Sequence, residues 1–117
     1  MRHHDPAKAV QVLDLLLAFF EDGRCWIQGT VGDYQGNHCL IGGLRHVRTR
    51  HAIKGDGAGY YLADALPPEY RRLDDYNDDA DSFAEVCALI LIARELAQAE
   101  LGQAEPVETS QPARIAA

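Results

Sequence analysis

Between Asp5 and Gly23 the chain places apolar side chains at helical spacing and leaves almost no polar surface over. Ala9, Leu13, Leu16, Leu17 and Phe20 share one face, widened by Val10, Val12 and Phe19. Only Gln11, Asp14, Ala18 and Glu21 make a wet stripe. Such a helix has to sit at the centre of a core or be covered by a second copy, so a homodimer is expected. Asp5 suits the N-cap, Pro6 the first helical position and Gly23 a left-handed stop. A second apolar stripe, Phe83, Val86, Cys87, Ile90, Ala93, Ala97 and Leu101, begins at Ser82 and Glu85 with capping-box spacing and meets Gly102 as a stop. One core must hold both stripes, which sets Leu16, Leu17 and Phe20 against Val86, Ile90 and Ala93.

The residues between these helices are more unusual. Arg24 to Val31 is short, rich in β-formers and bounded by glycine, which predicts a short β element around Trp26. Gly32 to Asn37 reads as a turn, and a helix is expected from near His38 with Asn37 as its cap. Leu40, Leu44 and Val47 form its apolar edge. Gly42 and Gly43 inside that helix cost roughly 1 kcal/mol each relative to alanine, a loss that close approach of another backbone would offset. Lys54 to Gly59 reads as a flexible connector, followed by a short helix that Pro67 and Pro68 end, a turn over 69–73 and an acidic loop from Asp74 to Asp81. The expected fold is mainly α: a compact bundle of about four helices spanning residues 1–102, with residues 103–117 a disordered tail.

At 117 residues the chain fits one domain. Its net charge of -7 argues against general nucleic-acid or anionic-membrane binding, because both need a basic field. Arg45, His46, Arg48, Arg50 and His51 form one basic stretch, read as a solvated helix face in preference to a phosphate-binding patch. No apolar run approaches the ~20 residues of a membrane span, and the start has no signal-peptide core. Three cysteines without framework spacing suit reduced thiols in the cytoplasm.

Cys39 is the principal candidate for chemistry. Near a helix start the dipole favours a thiolate, and a nucleophile also needs a base. His38, His46 and His51 are the nearby bases, and none stands three or four residues from Cys39 on the helix. Asn77 or Asp78 would orient a histidine from the distant loop. The preferred reading of Cys39 is nevertheless a small buried residue. Asp75, Asn77, Asp79 and Asp81 alternate as in an EF-hand, but Ala80 and Val86 stand where its glycine and glutamate belong. No metal and no cofactor are expected. Trp26 and Tyr76, beside Asp74, Asp75 and Asp79, make the candidate surface for a protein partner.

The pattern Trp26-x-x-Gly29, Asp33-x-x-Gly36, Cys39-x-x-Gly42-Gly43-Leu44, Tyr76-Asn77-Asp78 and Ala84-Glu85-Val86 resembles a family of small uncharacterised bacterial and phage proteins, a domain of unknown function. That family reads Trp-x-x-Gly, then Cys-x-x-Gly-Ala-Leu, then Trp-Asn-Asp before a last helix with Glu-Val. Here Gly43 replaces the usual alanine and Tyr76 the usual tryptophan. The resemblance spans most of residues 9 to 100 and implies that the Cys39 and Asn77–Asp78 turns meet in space. It carries no activity. The expected function is therefore a small acidic, cytoplasmic protein-binding domain, an adaptor or inhibitor. A phage or mobile-element origin and imitation of nucleic-acid charge are forms of that expectation. The alternative is a small cysteine-dependent enzyme using Cys39 with a histidine, His51 among them, and Asn77 or Asp78.

Overall fold

The structure, a computed structural model, describes residues 5–104, so most of the expected tail lies outside the described residues. Five helices follow one another: α1 (Pro6–Phe20), α2 (Leu40–His51), α3 (Ala58–Ala65), α4 (Leu73–Asp79) and α5 (Phe83–Ala104). Asp5 caps α1 as its side chain predicts, its Oδ1 accepting the amides of Ala7 at 3.0 Å and Lys8 at 3.3 Å. Gly102 does not stop α5, which continues to Ala104.

α1 packs against α5, α2 and α3, and α3 packs in turn against α5. Leu13, Leu16 and Phe20 of α1 and Val86, Ile90 and Ala93 of α5 are buried in one cluster, with Leu17 half-buried at its edge. Phe20 and Trp26 both stack on Phe83, at 5.3 and 5.9 Å between centroids. α1 thus finds cover within the chain, from α5, α2 and α3. The exposed large apolar residues of the helices lie elsewhere, Leu91, Ile92 and Leu96 on α5 and Tyr60 on α3. No helix among the described residues is long and apolar enough to cross a membrane.

Three expectations are corrected. The bundle has five helices among the described residues because Leu73 to Asp79 is helical where an acidic loop was expected; Asp74 and Asp75 stand in its first turn, where they complement the dipole. The β element reduces to isolated bridges, Trp26 with His38 and Gly32 with His38, because the facing chain turns into α2 directly after Cys39. α2 begins later than expected, with Cys39 rather than Asn37 as its N-cap. Asn37 is engaged instead with Asp33, whose carboxylate takes the Asn37 amide and side-chain N–H, both at 3.0 Å. The Asn37 bonds hold the Asp33 carboxyl below its ordinary range.

The glycine pair of α2 is explained by packing. A Cβ on Gly42 would overlap the Val31 carbonyl oxygen, and one on Gly43 would lie 2.5 Å from Phe20 Cζ. Both glycines are buried, and together they let α2 approach the Val31 backbone on one side and α1 on the other.

The connector after α2 is tied down more firmly than its glycines suggest. Asp56 is 1% exposed and receives Arg48 in a two-pronged pair, at 2.9 and 2.8 Å, plus the Ala58 amide at 2.9 Å. Burial opposes its charge, yet the Arg48 and Ala58 bonds outweigh burial and hold the carboxyl below the usual range. The stability from this depressed pKa is present above the ordinary carboxylate range and is lost as pH falls through the folded value.

Candidate functional site

Asn77 sits at the junction of three segments and is fully buried. Its Oδ1 accepts the Trp26 indole N–H at 2.6 Å and the Leu40 amide at 3.0 Å. Its Nδ2 donates to the Ile27 carbonyl at 3.1 Å and to Asp78 Oδ1 at 3.2 Å. A carboxamide has two acceptor lone pairs and two donor hydrogens, so every bonding position of this side chain is occupied. The Leu40 amide is one of the orphan donors at the start of α2, and a buried donor left without a partner is costly. Asn77 therefore joins α4 to the start of α2 and to the Trp26 segment.

Gln28 fastens the same, C-terminal end of α4. Its Nε2 donates to the carbonyls of Asn77, Asp78 and Ala80 at 2.9, 3.1 and 2.8 Å, serving acceptors that the end of a helix leaves free. Asp78 Oδ1 accepts the Gly29 amide at 2.8 Å. The Trp26 loop closes on itself through Cys25, Ile27 and Val31, which exchange backbone bonds with His38 and Cys39. Nothing in the local pattern of Gln28 marks it for this role. Its partners are remote in sequence and become its neighbours only in the folded chain.

Cys39 is 4% exposed, and its sulfur accepts the Gly42 amide at 3.4 Å. It lines a cavity of about 150 Å³ with Gly29, Thr30, Val31, Asp74 and Asp78. Of the residues named for cysteine chemistry, Cys39, Asn77 and Asp78 are brought into one neighbourhood, while His51 is not. Cys39 and His51 stand at opposite ends of α2, roughly 18 Å apart at 1.5 Å per residue.

The surface residues divide as clearly. Trp26 is held by Asn77 and Phe83. The Tyr76 hydroxyl donates to the Glu85 carbonyl at 3.0 Å and its ring meets Tyr70 edge-on; burial, then Glu85, raises its pKa. Asp74 pairs with Arg72, whose hydrogen bonds lower its pKa, and Asp79 accepts the Tyr70 hydroxyl at 3.0 Å. Asp75, Asp78 and Asp79 are exposed on α4, and Asp81 follows them.

His38 and His46, which sequence spacing separates, meet on the far side of α2's start. Their rings are 5.2 Å apart, and Phe19 lies 4.7 Å from His46 and 5.7 Å from His38. Burial, then the neighbouring His38, Arg50 and His51, lowers the His46 pKa. Asp56 also escaped the sequence reading, because a lone aspartate between glycines carries no periodic signal.

The fold and site define a small helical domain whose polar junction is built from Trp26, Cys39 and Asn77. Residues 4–96 match the family model described as Family of unknown function (DUF6197), and the chain belongs to that family. No curated protein and no solved structure is found to match it.

Proposed function

We propose that this chain is a protein-binding domain, an adaptor or inhibitor acting in the cytoplasm, that offers the acidic face of α4 to a basic partner surface. The saturation of Asn77 supports this reading most directly: the side chain a cysteine enzyme would use to orient its histidine has no bonding position to spare. The same bonds, with those of Gln28, fix the C-terminal end of α4, which carries Asp78 and Asp79, with Asp75 one turn before them. Preorganised carboxylates of one sign steer a basic partner and lose little entropy on binding. A cleft that ordinarily takes nucleic acid is one partner of that chemistry. All three cysteines are free, in keeping with a reducing compartment.

The test is charge reversal with the fold kept. Asp75→Lys with Asp79→Lys removes carboxylates that carry no buried bond; only the exposed Tyr70 contact is lost. The double variant is expected to melt as the parent does and to lose its partners in affinity capture from source cells, with association slowed by about tenfold or more. Capture of the same partners at the same rate would overturn the proposal. The second reading, a cysteine-dependent enzyme, draws on the cavity that Cys39 shares with Asp74 and Asp78.

A further inference from the structure

Acidic residues outnumber basic ones in this chain, 18 to 11, and four of the seven arginines among the described residues pair with one. Arg24 pairs with Glu21 and Asp22, Arg48 with Asp56, Arg72 with Asp74 and Arg94 with Asp14. Among the described residues, Arg45, Arg50 and Arg71 have no such partner. Arg71 lies exposed before α4, whereas Arg45 and Arg50 line two adjoining cavities on α2.

The larger cavity, about 340 Å³, runs between α2 and the Val31–Gly32 backbone. Gly42, Arg45, His46 and Thr49 follow helical spacing along one side, and His38 closes an end. The smaller, about 230 Å³, shares His46 and adds Arg50 and His51 over an apolar floor that includes Phe19 and Val47. No carboxylate lines either cavity among the described residues. His38 Nδ1 is buried with no hydrogen-bond partner, against Gly32 and Gly42.

We propose that this groove binds a phosphate monoester dianion, with Arg45, His46 and Thr49 as its donors and Arg50 adding charge from the adjoining cavity. Guanidinium, imidazole and hydroxyl around one concavity offer more donors than the two oxygens of a carboxylate use, and suit the three terminal oxygens of a phosphate monoester. Phe19 supports the His46 ring from behind and leaves its edge to the ligand. The groups facing His46 are His38 from the loop and Arg45, Arg50 and His51 from its own helix, while α1 contributes only Leu15, Ala18 and Phe19. A bound anion relieves that cationic crowding, so binding and protonation of His46 favour each other. The residues are separate from the acidic face of α4, so this inference stands apart from the protein-binding reading.

The experiment is a nuclear magnetic resonance titration of the full chain with inorganic phosphate at constant ionic strength and neutral pH. Saturable shifts at Gly42, Arg45, His46 and Thr49, with a rise in the His46 titration midpoint, are expected. Arg45→Gln with Arg50→Gln should weaken binding about tenfold or more, because each removes a charge-assisted bond or its field. Arg71→Gln should bind as the parent does. Adenosine monophosphate provides a second arm. Tighter binding than phosphate, with Val47 methyl shifts, assigns an ester whose carbon skeleton fills the smaller cavity, whereas equal binding assigns the phosphoryl group alone. Shifts that do not saturate, that acetate reproduces with equal affinity, or that survive the double substitution would overturn the site.

Discussion

Asn77→Ala is expected to cost the fold about 4 kcal/mol, seen as a large drop in the urea midpoint with an unchanged slope. The variant leaves the Trp26 indole N–H, the Leu40 amide and the Ile27 carbonyl without their partner. A group buried without a partner costs roughly 1–3 kcal/mol, so three of them account for the loss even where water reaches one. Asn77→Asp separates the contributions. It can keep both accepted bonds, but loses the donation to Ile27 and sets a second carboxylate beside Asp78. Its loss should therefore be smaller at low pH, where one carboxyl is protonated, than at neutral pH. A loss of under 1 kcal/mol for Asn77→Ala would mean that the junction does not hold the domain together.

Gly42→Ala should destabilise by about 3 kcal/mol, although the same change at an ordinary helix interior gains about 1 kcal/mol. The added methyl meets the Val31 carbonyl, which is backbone and already accepts the Cys39 amide at 3.1 Å, so it has no rotamer through which to escape. Gly43→Ala meets the Phe20 ring, which can turn aside, and should cost less. Gly59→Ala in α3 meets nothing within 4 Å and should stabilise slightly. Thermal denaturation of these variants checks the ordering, and a Gly42→Ala protein as stable as the parent would refute the packing argument.

Local chemistry made much of this legible in the sequence. Asp5 and Pro6 act within one helical turn, so the start of α1 follows from the neighbours alone. The expense of Gly42 and Gly43 was visible as an anomaly, and the structure supplies its reason in Val31 and Phe20. What escaped depends on remote partners. Leu73 to Asp79 is a poor helix by propensity, and its helical form is held by Trp26, Gln28 and Leu40 through bonds across roughly half the chain. Arg24 to Val31 has strand-like composition, but a strand needs a run of partners, and the facing chain enters α2 directly after Cys39. The meeting of Cys39 with Asn77 was implied by the motif pattern. The saturation of Asn77 and the distance of His51 required coordinates.

Thiol accessibility tests the central claim most directly, namely that Cys39 and Asn77 hold the fold and do no chemistry. The native full chain is treated with iodoacetamide just below pH 7, and modification of each cysteine is followed by mass spectrometry. Cys25 and Cys87 are partly exposed, whereas Cys39 is buried under the cap it forms for α2. Cys39 is expected to be the slowest of the three to react, at a rate that rises only when the domain unfolds. A Cys39 that reacts first, ahead of Cys25 and Cys87 in the folded protein, would contradict it and favour the enzyme.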